Sequence, residues 1–258
     1  MARRARPGAA RSSMKIYLDA RLGDARDLCS FSETLVHVQE FYPDSADYRP
    51  NARLPVDFRR LSESEVREHT ASLDELSIED ELDFVAMFSC GLKSEEALDF
   101  TPFLTLSPVV ELDPSVDHGN RPSITVDRVS GLRLGLHLDS WDGLDLSSRW
   151  KSRNRIVVNR GPANRYVYVV PVPIEEMAQR VASPERLHPG KVADTYIRNA
   201  PRTPCLRLLQ SANVAYVCCT ERLIHDACVT PADGRAESRH YLGHFVRRQL
   251  PFRPNAMD

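Results

Sequence analysis

The sequence predicts a mainly β protein with a helical layer, an α+β arrangement whose strands close an antiparallel sandwich or jelly roll. Two observations carry this. Helix signals gather in the first hundred residues and in one later segment, whereas nine short strand-like runs crowd the region beyond. Turn residues such as Pro-Ser, Gly-Pro-Ala-Asn and Pro-Ala-Asp-Gly separate those runs.

In chain order, MKIYLDAR, from Met14, reads as a strand, and Met14 is an alternative start. SESEVREH (62–69) opens with Ser62 three positions before Glu65, the spacing of a capping box, and reads as a helix. SIEDELDFVAMFSCGL (77–92) places Ile78, Leu82, Phe84, Val85, Phe88 and Cys90 near helical spacing ahead of Gly91, and predicts a second helix. SEEALDF (94–100) predicts a third. The strand-like runs are 103–112, 123–129, 132–139, 155–159, 165–172, 205–209, 214–219, 223–229 and 239–246; a helix at 173–182 interrupts them. The segment 187–196 carries no clear signal. No internal repeat appears. The expected organisation is a disordered basic leader over 1–13 and one domain over 14–258, helical in its N-terminal part to about residue 100, with a jelly-roll core over about 101–248.

Composition narrows the function. The chain has 258 residues, 42% of them hydrophobic, and a net charge of −2. That suffices for one substantial core and provides no basic field for nucleic acid or an anionic membrane. No apolar run reaches the length of a membrane span. No apolar segment of a secretory signal follows the basic start, so a cytoplasmic protein is expected. None of the six cysteines forms a C-x-x-C pair, and they are expected to be free packing residues.

The informative stretch is GLRLGLHLDSWDG (131–143). Leu132, Leu134, Leu136 and Leu138 occupy alternate positions, and in a strand they share one face. His137 and Asp139 then share the other. A ferrous ion that must also hold O2 and an organic co-substrate needs three protein ligands on one face of an octahedron; two imidazoles and one carboxylate supply them and leave three positions open. The third ligand must come from another strand. Downstream, His188 sits in a turn, and His240 and His244 lie in the last strand. His225, in the run RLIHDACV, has a further strand still to come and is the candidate, 88 positions after His137. Asp226 beside it should face the opposite way.

The pattern His137-Leu138-Asp139, then His225, then an arginine, resembles the iron(II)- and 2-oxoglutarate-dependent dioxygenases, over roughly residues 100–248. The resemblance implies a double-stranded β-helix, the cofactors Fe(II), 2-oxoglutarate and O2, and a basic residue after the third ligand that binds the distal carboxylate of 2-oxoglutarate. Arg235 and Arg239 follow His225 by ten and fourteen positions. A guanidinium suits that carboxylate because it makes two parallel charged hydrogen bonds. Arg239, opening the last strand, is preferred. Halogenating relatives carry a small residue where Asp139 stands, so the resemblance implies a hydroxylase or a related oxidation.

Trp141 is a candidate wall of a substrate pocket. Arg155 and Asn159 share one face of their strand, and Tyr166 and Tyr168 share a face of the next. Arg155 is a further candidate for an anionic substrate group. The expected partner is a small molecule, an amino acid or a specialised metabolite, with neither nucleic acid nor membrane. Two other classes fit the same residues: a cupin-like isomerase or hydrolase using zinc, nickel or manganese, and a non-catalytic jelly-roll binding module.

Overall fold

The computed structural model describes residues 14–42, 45–77, 84–91, 100–118, 122–229 and 234–248. Its elements begin with β1 (Ile16–Leu18), α1 (Ala25–Leu28), β2 (Cys29–Ser32), β3 (Thr34–His37), α2 (Val38–Phe41), β4 (Arg53–Val56) and β5 (Arg59–Arg60). α3 (Glu63–His69), β6 (Thr70–Ser72), β7 (Val85–Ser89), β8 (Phe103–Thr105) and β9 (Val110–His118) follow. Then come β10 (Asn154–Asn159), β11 (Arg165–Pro173), α4 (Ile174–Ala178), α5 (Pro189–Asn199) and β12 (Cys205–Gln210). The chain closes with β13 (Val214–Cys218), β14 (Leu223–Val229), β15 (Arg235–Gly243) and β16 (Phe245–Arg247).

Two sheets face one another. One has the order β6-β1-β7-β13-β10-β15-β9, the other β14-β11-β12-β2-β5. From β9 onward the chain winds between them: β9 and β10 in the first, β11 and β12 in the second, β13 in the first, β14 in the second, β15 in the first. The stretch around His137 lies along the outer edge of β14, where His137 and His225 exchange backbone hydrogen bonds of 3.0 and 2.9 Å. This winding is a double-stranded β-helix, a jelly-roll variant.

Alternation along each strand builds three layers of core. Val157, Val167, Val169, Leu206, Leu208, Tyr216, Val85 and Met87 point between the sheets. Phe84, Ala86, Phe88, Ile156, Val158, Ala215 and Val217 point out of the larger sheet and meet Phe103, Tyr241 and Phe245. On the outer face of the smaller sheet, Tyr168, Val170 and Ile224 are covered by Ile174 and Met177 of α4 and by Val192, Ala193, Tyr196 and Ile197 of α5. Several strands are thus apolar on both faces.

That double burial explains the main departure from the sequence reading. Residues 85–89 form β7, a strand inside the larger sheet, and not the helix expected over 77–92. A short run that is apolar on both faces matches a buried strand as well as a helix. Residues 78–83 lie outside the described ones, as do 92–99, on which the third expected helix falls, and the leader 1–13. The N-terminal part is not a helical layer: β1, β6 and β7 extend the larger sheet, and β2 and β5 the smaller. The layer that covers a sheet is α4 and α5; α5 occupies the segment that carried no signal. It starts at Pro189, and the His188 ring nitrogen accepts from the Gly190 N–H. α3 matches its expectation, with both arms of the Ser62–Glu65 capping box made.

Residues 123–129 and 132–139 pair only through isolated bridges and not as regular strands. Gly135 stops the second run: its φ of +65° lies in the left-handed region, and an added Cβ would stand 2.8 Å from the Arg53 carbonyl oxygen. Of the four alternating leucines only Leu136 is fully buried.

Candidate metal centre

His225 pairs with Val169 across β14 and β11, and Val169 points between the sheets, so His225 does too. The bridge to His137 brings the second imidazole alongside, with ring centroids 4.7 Å apart. Asp139 is fixed two residues on, where its N–H donates to the Thr220 carbonyl at 3.0 Å. Wholly buried Arg149 clamps that contact, donating to the carbonyls of Asp139 (2.8 Å) and Glu221 (2.7 Å). The ligand-bearing segments are therefore tied to each other through the backbone.

One atom from each of His137, Asp139 and His225 lies within 4.8 Å of the others, and all three residues are buried. His137 Nε2 is 3.5 Å from Asp139 Oδ1, and His225 Nε2 is 3.6 Å from Asp139 Oδ2. The opposite ring nitrogens face carbonyls: His137 Nδ1 to Gly135 at 2.7 Å and His225 Nδ1 to Leu223 at 3.1 Å. A carbonyl only accepts, so both Nδ1 atoms carry the proton and both Nε2 atoms present a lone pair. Neither Nε2 has a hydrogen-bond partner. Two orphaned buried acceptors beside a carboxylate fit a divalent cation, with each ring oriented from behind as metal-bound histidines are.

The electrostatics agree with a cation site. Burial opposes ionisation of Asp139, but Arg155, then His225 and His137, outweigh it and hold its carboxyl well below the usual range. Burial also opposes charge on His137, yet the nearby Asp139 carboxylate raises its pKa. At His225 burial dominates and pushes the imidazole down to about 3.

Among the other expected residues, Arg155 faces the same chamber. Its Nη1 donates to Asp139 Oδ2 at 2.8 Å and its Nη2 to His240 Nδ1 at 2.7 Å. Trp141, partly exposed, sits between two guanidiniums, with those of Arg155 and Arg128 each 5.8 Å from its ring centre. Asn159 is buried, but its carboxamide is consumed by the carbonyls of Ala163 and Gln210 and by the Gly161 N–H, so it ties a turn. Tyr168 points to the opposite side, into the cluster under α4 and α5. Asp226 faces away from the centre and accepts from Thr125 Oγ1 at 2.9 Å.

Arg239 and Arg235 do not reach the chamber. On β15 the inward positions are Ser238 and His240, opposite Asn159 and Val157 of β10. Arg239 lies between them in sequence, so it projects from the outer face, 3.7 Å from Glu111 and in phase with Tyr241 of the outer cluster. Arg235 is exposed beside Glu237. Neither therefore lines the space that holds His137, Asp139 and His225.

Sequence reasoning passed over a second guanidinium that, like that of Arg155, faces inward. Arg165 is 2% exposed and in phase with Val167 and Val169. Its Nη1 donates to Gln210 Oε1 at 3.2 Å, and its Nε is buried without a partner. Burial pulls its pKa down, with Tyr216 and Asp117 opposing. The signal was there: an arginine starting a valine-rich strand on the phase of its buried face.

No protein-family model and no curated protein matches this chain. Solved structures of the Kdo hydroxylase KdoO, a non-heme Fe(II) alphaketoglutarate dependent dioxygenase, are distantly similar. The apo structure shows 12% identity and a TM-score of 0.34. The complex with alphaketoglutarate and Fe(III) shows 13% and 0.33. Each comparison covers 54% of this chain and 54% or 55% of the other, so the chain spans about half the length of the structures it matches. At those scores the likeness is too slight to assign a family.

Proposed function

We propose that this chain is a non-haem Fe(II)- and 2-oxoglutarate-dependent oxygenase that hydroxylates a C–H bond of a small molecule. The observation that carries the reading is the pair of buried, partnerless Nε2 lone pairs of His137 and His225 converging on the Asp139 carboxylate. His137, Asp139 and His225 would hold the iron and leave three positions on one side. Fe(II) held there would activate O2, the oxidant, with one oxygen atom going to 2-oxoglutarate as it becomes succinate and CO2 and the other to the C–H bond. The protein orients the reactants and keeps water away.

Arg165 takes the anchoring role expected of Arg239. It is a buried cation facing the chamber with a donor still to satisfy. Four residues of β11, roughly 13 Å of strand, separate it from Val169 beside His225. A short dicarboxylate and the long arginine side chain cover that span together. The substrate enters past Trp141, and the 140–153 loop borders its path.

Anaerobic addition of Fe(II) and then 2-oxoglutarate tests this. The expected result is a weak charge-transfer band at roughly 500–530 nm, as a 2-oxo acid chelates ferrous iron, lost in Asp139→Ala and His225→Ala. Iron binding without the band would favour the cupin-like metal enzyme. No metal binding at all would leave the jelly-roll binding module.

A further inference from the structure

His240 has no part in holding the metal, yet it is buried and polar contacts run from it to a metal ligand. Ser115 of β9 and Ser238 of β15 are joined, Oγ to Oγ, at 2.7 Å. His240 Nε2 reaches both, at 3.2 and 3.0 Å. Its Nδ1 faces Arg155 Nη2 at 2.7 Å, and Arg155 Nη1 faces Asp139 Oδ2 at 2.8 Å.

The chemistry of the donors fixes the direction of each bond. A guanidinium only donates, so Nδ1 of His240 must accept. The ring proton then sits on Nε2 and is donated to the two serine hydroxyls. Arg155 thus selects the tautomer, and the serine hydroxyls, which can accept, anchor the ring in it. Arg155 is held from the side away from the centre, and its other nitrogen is aimed at a single oxygen of Asp139.

We propose that His240 is a positioning residue: through Arg155 it fixes which way the Asp139 carboxylate is turned between the two imidazoles. This rests on the metal centre proposed above. A carboxylate free to turn would meet a bound metal differently, and that would change both the metal's spectrum and the room left for a chelating 2-oxo acid. Trp141, with its ring centre 5.8 Å from the Arg155 guanidinium, flanks the same group on the substrate side.

The test uses the whole chain loaded with Co(II), whose visible band reports coordination number, and 2-oxoglutarate as the probe. His240→Phe keeps the ring and removes the acceptor; it should alter the Co(II) band and weaken 2-oxoglutarate binding about tenfold or more. His240→Asn places an amide oxygen where Nδ1 stands and should restore both. In an Arg155→Met background, His240→Phe should add no further loss, because its effect travels through Arg155. Should Arg155→Met fail to fold, the Phe and Asn variants still decide. An unchanged Co(II) band in His240→Phe overturns the proposal, as does an equal loss in Phe and Asn, which would mark a purely structural role. A wild-type chain that takes Co(II) but not 2-oxoglutarate sinks the co-substrate reading alone, since the band still tests His240. A wild-type chain that takes no Co(II) removes the centre and this proposal with it.

Discussion

Two neutral histidines and one charged aspartate set how the core responds to acid. Burial pushes His225 down to about 3, and burial, with Arg155 and Arg165 beside it, pushes His240 to about 2. Unfolded, each takes a proton near 6.5. Between that value and the folded one the unfolded chain binds more protons, so stability rises with pH there and falls on acidification. The metal-free protein should lose about 1.4 kcal/mol per pH unit for each of the two as pH drops below 6. Asp139 has a depressed pKa, so its contribution is present at neutral pH and lost only at far lower pH. His137, raised, adds stability below its unfolded pKa that fades above it, and so does not reverse the slope. Urea titrations at pH 5 and 7 check this, and a flat profile would contradict the buried neutral pair. At the same scale, Arg165→Met should weaken 2-oxoglutarate binding by about 1.5–3 kcal/mol, the worth of a hydrogen bond to a charged group. Arg239→Met, which alters only the outer face, should leave it unchanged; calorimetry on the metal-loaded protein separates the two. That contrast shows how far residues alone were legible. His137, Asp139 and His225 stood out by residue type and spacing, but which arginine faced them depended on strand phase. Phase at β15 is hidden because Arg239 and His240 are adjacent polar residues pointing to opposite sides.

Elements differed in how openly they announced themselves. α3 was readable because its stop and start are local chemistry: Ser62 and Glu65 satisfy each other's backbone donors. Ser62→Ala should cost about 1 kcal/mol without changing Co(II) affinity, since α3 does not touch the centre. β7 was misread because its neighbours on both sides, β1 and β13, are remote in sequence. The ligand-bearing stretch 132–139 behaves differently from either. Its alternation suggested a long strand, yet Gly135 breaks it in a conformation that L residues avoid, and that break turns the Gly135 carbonyl toward His137 Nδ1. Gly135→Ala should therefore destabilise by about 2 kcal/mol or more and also weaken metal binding. A variant that loses stability but keeps full Co(II) affinity would show that the carbonyl does not orient the ring.

Across the whole molecule, the centre joins segments 88 positions apart through one bridge at the edge of the smaller sheet. The unfolded chain cannot gather these ligands, so a metal bound only by the folded state adds to its stability. Co(II) at a hundredfold excess over its Kd should add about 2.7 kcal/mol and raise Tm. A chelator should reverse this, and His225→Ala should show no rise. Among the described residues no helix is long and apolar enough to cross a membrane. The composition, the β-rich class, most of the short strands after residue 100 and the donor atoms of His137, Asp139 and His225 follow from the order of residues alone. They depend on local matters: propensity, alternation and the donor atoms each side chain carries. The joining of β1 and β7 to the larger sheet, the inward turn of Arg165 and the outward turn of Arg239 arise only when distant segments meet. So does the His240–Arg155–Asp139 line. Each follows from which side of a strand finds an apolar partner, and that partner lies elsewhere in the chain.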